Sequence, residues 1–165
     1  MMIQVIDNFI DEQTFTHIKD TILSETFPWF WGEVQNGSKG LLTDPLYNFQ
    51  HVHTFCVNDL KSSYYDLLIP IFKKLRVRQT IRVKVNSTPK TDNIERHAFH
   101  IDLENNSSTT AVYYLNTCDG FTEFFDGKKV ESVENRIVVF NSNIKHLGTT
   151  CTNQKRRVVL NLNYY

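Results

Sequence analysis

Charge imbalance is missing from this sequence: 18 Lys and Arg stand against 18 Asp and Glu, a formal net charge of zero over 165 residues. So even a balance gives no electrostatic case for a general nucleic-acid or membrane partner, and neither is expected. Cysteine is scarce. Cys56, Cys118 and Cys151 are odd in number and far apart, which argues against a disulfide framework or a zinc site and reads as reduced thiols in a cytoplasmic protein. No apolar run approaches the roughly 18 residues of a membrane-spanning helix. The opening Met1-Met2-Ile3-Gln4-Val5-Ile6-Asp7 has neither a basic stretch nor a long apolar one, so no signal peptide is expected. No repeat, low-complexity tract or linker interrupts the chain, and residues 1–165 are expected to form a single domain.

What the sequence does have is a core. Hydrophobic residues make up 41% and aromatics 13%, which excludes disorder. A chain of this length buries roughly two thirds of its unfolded surface, so no disulfide or structural metal is needed for folding.

Asp11-Glu12 can open a helix carrying Phe15, Ile18, Ile22 and Leu23 on one face and ending before Pro28. Residues 29–50, rich in Gly, Asn, Asp and aromatics, read as a long loop. A second helix is expected over about 58–75, with Pro70 dividing or kinking it. Beyond Arg76 the texture changes to short alternating segments. Strands are expected at 81–86, 97–102, 109–116, 121–125, 129–133, 136–140 and 157–164, separated by turn residues. The expected fold is mainly β within an α+β arrangement. It has a helical part over about 1–78, then an antiparallel jelly roll over about 79–165 braced by the N-terminal helices.

His100-Ile101-Asp102 lies on one expected strand, where alternate side chains share a face, so His100 and Asp102 can meet one ion. His146 supplies a second imidazole. Two His and one carboxylate form a facial triad suited to Fe(II), which leaves coordination positions open. Taken alone, a His two residues from an Asp reads more simply as a surface or hydrogen-bonded pair, and His146 as a structural residue. The last strand adds weight. Arg157, Val159, Asn161 and Asn163 share one of its faces, and an Arg turned into a pocket calls for an anion such as a carboxylate. The competing reading is a solvated basic turn of Lys155, Arg156 and Arg157.

Together these residues resemble the 2-oxoglutarate/Fe(II)-dependent dioxygenases, in particular the small prolyl-4-hydroxylase-like members of phage and bacterial genomes. The resemblance runs from Arg82-Val83-Lys84-Val85-Asn86 through His100-Ile101-Asp102, Tyr113-Tyr114-Leu115-Asn116 and Gly120-Phe121-Thr122-Glu123-Phe124. It continues through Glu134-Asn135-Arg136-Ile137-Val138-Val139-Phe140 to His146-Leu147-Gly148-Thr149 and Arg157. It covers about residues 80–165, and Phe121 stands where many relatives carry a second glycine.

The resemblance implies a double-stranded β-helix in which His100, Asp102 and His146 hold Fe(II). It also implies a 2-oxoglutarate co-substrate whose far carboxylate is held by Arg157, with Arg156 as the neighbouring option. Tyr114 and Asn86 are further candidate co-substrate contacts. It implies an oxygenase that consumes O₂, releases succinate and CO₂, and hydroxylates a C–H bond of a peptidyl (prolyl) or small-molecule substrate. Ascorbate is a candidate reductant, and a virus-encoded protein of this kind would act in the host cytoplasm. The expected catalytic residues are the metal ligands alone.

His51-Val52-His53 is a second histidine pair, which a cupin-like metal enzyme not using 2-oxoglutarate could exploit. A catalytically silent jelly roll acting in binding or assembly is the third class. His97 is expected on the outer face, opposite His100. Phe27, Trp29, Phe30 and Trp31 read as a plug or a substrate lid. Residues 29–57 and 87–96 are expected to set substrate choice.

Overall fold

The computed structural model describes residues 3–34, 49–105 and 107–165. The chain runs β1 (Gln4–Ile6), α1 (Glu12–Leu23), β2 (Phe30–Glu33), β3 (Phe49–Val57), β4 (Leu60–Lys61), a 3-10 turn (Tyr65–Leu68) and α2 (Ile69–Leu75). It continues with β5 (Thr80–Pro89), β6 (Thr109–Tyr114), β7 (Phe121–Phe124), β8 (Lys129–Glu131), β9 (Ile137–Asn141), β10 (His146–Gly148) and β11 (Arg156–Tyr164).

Strands β1-β9-β6-β11-β5-β3-β2 form one sheet, with β4 paired to β3, and β10-β7-β8 form a second. All pairings are antiparallel. This is the expected jelly roll. The two faces of the large sheet have different tasks because side chains alternate along each strand. Val83, Val85, Ala111, Tyr113, Val158, Leu160 and Leu162 pack with Phe15, Ile18 and Ile22 of α1 in the main core. Their neighbours Val112, Tyr114 and Val159 turn the other way and join Phe124, Val130, Val138 and Phe140 in a smaller core. Each large apolar side chain so buried contributes about 1.5–3 kcal/mol. Helix α1 begins where expected: Asp11 caps it by accepting from Thr14 N at 2.9 Å.

Several expectations need correction. The N-terminal part is not simply helical, since β1 pairs with β9 and β2–β4 extend the large sheet. A helix does not fill 58–75. Pro70 lies in the first turn of α2, the place where its missing N–H is tolerated, so the α-helix starts only at Ile69. The loop expected over 29–50 contains β2 and the start of β3, while its residues 35–48 lie outside the described residues. Edge strand β2 exposes Phe30 (63%) and Trp31 (67%), so it lacks the in–out alternation that would reveal it. Residues 97–102 form no continuous strand. The segment is tied down by isolated bridges, Arg96 with Thr149 just before it and His100 with His146 within it, and by single backbone hydrogen bonds from His97 N to Gly148 O and Asp102 N to Ser142 O. No helix among the described residues is long and apolar enough to cross a membrane.

Candidate metal and anion site

His100 and His146 face each other across a reciprocal backbone pair, each N–H donating to the other's carbonyl at 2.9 Å. Asp102 is held two residues on by its N–H to Ser142 O at 3.1 Å. The donor atoms of these three residues lie within 4.8 Å of one another, the one such cluster of three or more among the described residues.

Each imidazole has its orientation set locally. His100 Nδ1–H donates to Ala98 O at 3.2 Å, and His146 Nδ1–H to Ile144 O at 2.9 Å. The lone pairs are thereby left on the Nε2 atoms. Those atoms stand 3.8 Å and 3.9 Å from the two Asp102 oxygens, too far for hydrogen bonds. Ligands about 2.1 Å from a shared ion lie at most about 4.2 Å apart, a limit that both His–Asp separations meet.

Protonation suits the same use. Burial pushes the Asp102 carboxyl up, but the neighbouring imidazoles, the Asn163 amide and Arg82 outweigh it and hold it below the ordinary value. Burial, then the His100 charge, pushes His146 down, so it is neutral near pH 7. The carboxylate is further wrapped by Asn163 Nδ2 (3.0 Å), Thr110 Oγ1 (3.0 Å), Asn161 Nδ2 (3.4 Å) and Arg82 Nη2 (3.3 Å). A mixed N/O donor set with no thiolate fits Fe(II).

The donors open on a cavity of about 270 Å³ that also includes Arg157, Asn86, Asn161 and Thr122. Arg157 is 3% exposed. Its guanidinium donates to Ser132 Oγ (2.7 Å), Thr122 Oγ1 (3.1 Å) and Thr149 O (3.4 Å), and lies 5.6 Å from the Tyr114 ring centroid. All these partners are neutral, and no carboxylate among the described residues pairs with it. Two glycines make its berth. A Cβ on Gly120 would meet Thr150 O at 2.5 Å and Arg157 Cδ at 2.6 Å, and one on Gly148 would meet Arg157 Nη1 at 3.3 Å.

Arg156 points elsewhere, donating to Leu23 O at 3.4 Å and lying over Trp29. Tyr114 is fully buried beneath Arg157 and donates to Thr122 Oγ1 at 2.9 Å. It does not line the cavity; the Thr122 hydroxyl stands in its place. Asn86 does line it, and its Oδ1 is buried with no partner.

His97 corrects the parity expectation. It is buried, lines the same cavity, and has an unpartnered Nε2. Burial, then the charges of Arg157 and His100, pushes its value down to about 4, so it is a neutral imidazole near Arg157. Parity failed because 97–102 is not a strand. Arg82, Lys84 and Thr122 also line the cavity. The in–out alternation of β5 and β7 carried that signal, but it does not say whether the polar face meets solvent or a cavity.

The second histidine pair is dispersed. His51 is exposed, whereas His53 is buried with Nδ1 2.9 Å from Pro28 O and Nε2 3.1 Å from Ser62 Oγ. Both His53 nitrogens are engaged, so the pair does not present a metal site. Phe27 is a buried plug beside Trp29, His53 and Tyr64. Phe121 lies under the Lys129 ammonium, 4.6 Å away, outside the cavity.

No family model matches the chain, and no curated protein matches it. Solved structures do. A prolyl hydroxylase from Trichoplax adhaerens, in complex with a hypoxia-inducible-factor peptide fragment, aligns with TM-score 0.69 and 14% identity over 98% of this chain and 83% of that one. A 2OG-Fe(II) oxygenase family oxidoreductase from Burkholderia pseudomallei aligns with TM-score 0.67 and 12% identity over 98% and 84%. The non-heme alpha-ketoglutarate-dependent epimerase SnoN of nogalamycin biosynthesis aligns with TM-score 0.68 and 10% identity over 98% and 75%. At such identities the likeness is one of fold: the chain has the jelly-roll fold of these 2-oxoglutarate/Fe(II) oxygenases over nearly its whole length.

Proposed function

We propose that this protein is an Fe(II)- and 2-oxoglutarate-dependent oxygenase that hydroxylates a C–H bond of a peptidyl (prolyl) or small-molecule substrate. The observation that carries the reading is Arg157. A buried guanidinium without a carboxylate, in the same cavity as a His/Asp/His donor set, matches a co-substrate that offers a chelating end and a distant carboxylate.

His100 Nε2, His146 Nε2 and an Asp102 oxygen would hold Fe(II), and Arg157 the far carboxylate of 2-oxoglutarate, assisted by Thr122 and backed by Tyr114. Iron with 2-oxoglutarate supplies oxidative decarboxylation to succinate and CO₂ coupled to oxidation of a substrate C–H. The chain's own residues orient and insulate. The Ala98 and Ile144 carbonyls keep the imidazoles in the ligating tautomer. Asn163, Thr110 and Asn161 hold the carboxylate ionised and aimed. His97 stays neutral and adds no competing charge beside Arg157.

Oxygen-dependent conversion of 2-oxoglutarate to succinate by the purified protein, with and without proline-containing peptides, tests this directly. Turnover by wild type and at least a hundredfold loss in His100→Ala is the expected result. Undiminished turnover in His100→Ala, or failure of wild type to bind Fe(II), rejects it.

A further inference from the structure

The charged groups lining the cavity do not balance, and the excess is on the substrate side. Arg82, Lys84 and Arg157 are cationic there, and Asp102 is the lone carboxylate among the described lining residues. A bound Fe(II) and a 2-oxoglutarate dianion cancel one another, so they leave two positive charges in excess.

The register of β5 against β11 locates them. Arg157 sits opposite Thr88, Asn161 opposite Lys84, and Asn163 opposite Arg82. At about 3.3 Å per residue, Lys84 lies some 13 Å along the strand from the Arg157 rung. It is therefore beside the Asp102 shell, not in the anchor for the co-substrate's far carboxylate. Across β5 from β11 runs β3, where Thr54 pairs with Lys84. Gln50 of β3 and Val34 after β2 complete the cavity wall. The two cations thus stand between the metal donors and the β3–β2 edge.

Their partners differ. Arg82 donates to Asp102 Oδ1 at 3.3 Å and to Asn163 Oδ1 at 3.1 Å. Lys84 is half-buried, and its ammonium has no ion pair or hydrogen bond among the described residues. Burial and the nearby Arg82 charge push it down to about 8 against the opposing pull of the Asp102 carboxylate, which leaves it mostly cationic at neutral pH, and Asp102 makes its direct contact with Arg82 and not with Lys84.

Resting on the oxygenase reading, we propose that Lys84, flanked by Arg82, binds a carboxylate on the molecule that is oxidised. The substrate class is then a small carboxylate or the carboxylate-bearing residue of a peptide. A single negative charge fits better than a phosphate dianion, because Asp102 stands beside Arg82 and repels further charge. The cavity is also near the lower end of small-ligand pockets, roughly 300–1,000 Å³, which suits a residue-sized group beside the co-substrate.

The test is calorimetric titration of Mn(II)-loaded protein, first with 2-oxoglutarate and then, at saturating 2-oxoglutarate, with matched probes. The probes are the N-acetylated, C-terminally amidated forms of glutamate and glutamine, aspartate and asparagine, and phosphoserine and serine, so that the side chain carries the only anionic group. Binding of at least one carboxylate probe roughly tenfold tighter than its amide is expected. Lys84→Met should erase that preference while the 2-oxoglutarate Kd stays within about twofold, and Lys84→Arg should keep it. The proposal is overturned by equal binding of acid and amide, by no carboxylate binding up to roughly millimolar concentration, or by an unchanged preference in Lys84→Met. Phosphoserine binding better than both carboxylates overturns the assignment to a carboxylate. Failure of wild type to bind 2-oxoglutarate appears in the first titration and rejects the oxygenase reading itself.

Discussion

Replacing Arg157 with Met separates a binding role from a structural one. In the ligand-free protein the guanidinium is buried against Ser132, Thr122, Thr149 and the Tyr114 ring, and no carboxylate among the described residues pairs with it. Removing an uncompensated buried charge is neutral or stabilising when the replacement fills its volume. The ligand-free Tm of Arg157→Met is therefore expected to hold or rise. With Mn(II) bound and 2-oxoglutarate at a hundred times its Kd, wild type gains about 2.7 kcal/mol. For a chain of this size that is about 5–11 °C in Tm. Truncating one side of a buried charge pair costs about 2–5 kcal/mol of binding, a thirtyfold or larger rise in Kd. At the same ligand concentration the variant then keeps less than about 1 kcal/mol, or under about 4 °C. Differential scanning fluorimetry with and without 2-oxoglutarate reads both numbers. A full ligand shift in Arg157→Met would place the anchor elsewhere, and a ligand-free Tm lowered by more than about 5 °C would make the guanidinium a part of the fold.

Gly120→Ala puts a methyl group 2.6 Å from Arg157 Cδ and 2.5 Å from Thr150 O. It should cost about 1–3 kcal/mol in chemical denaturation and also weaken 2-oxoglutarate binding. Asn135 has φ +59° and bonds Tyr113 Oη, Ile10 N and Ile10 O. Asn135→Ala should lose about 2–4 kcal/mol in urea unfolding while leaving metal affinity intact. His97, pushed from 6.5 to about 4, stays neutral in the fold while the unfolded chain takes up a proton as pH falls through that window. Stability should therefore drop between pH 6.5 and 4, on the order of 3 kcal/mol from this group. His97→Gln should flatten the pH dependence of the urea midpoint. Buried His146 and His53 shift the same way and leave a residual slope, and an unaltered slope would refute the assignment to His97.

Much of the architecture was legible because alternation is a strong signal where the two faces of a strand have different surroundings. In β11, Val158, Leu160 and Leu162 face the helices while Arg157, Val159 and Asn161 face the cavity, as period two requires. The convergence of His100, Asp102 and His146 was legible only in combination, since each residue alone has a commoner structural use. His97 was misplaced because period two was applied to a segment held by isolated bridges and single backbone hydrogen bonds. Lys84 and Arg82 were overlooked because a polar face reads identically over water and over a buried pocket. β2 was hidden by the same ambiguity in reverse: both its faces are largely exposed, so its aromatics follow no period. The 58–75 helix was overextended because apolar spacing was followed across Pro70.

The reciprocal backbone pair between His100 and His146 has a consequence for how the site can evolve. The two candidate ligand residues occupy one rung, so the separation of their Cα atoms is set by main-chain geometry. Exchanging a donor at one position changes the hardness and charge of the coordination sphere but leaves its bite almost untouched. Substitution at these positions can therefore retune which ion is preferred without rebuilding the scaffold. Altering the spacing itself would require breaking that backbone pair or slipping β10 against β7, which would turn the side chains of β10 to the opposite face.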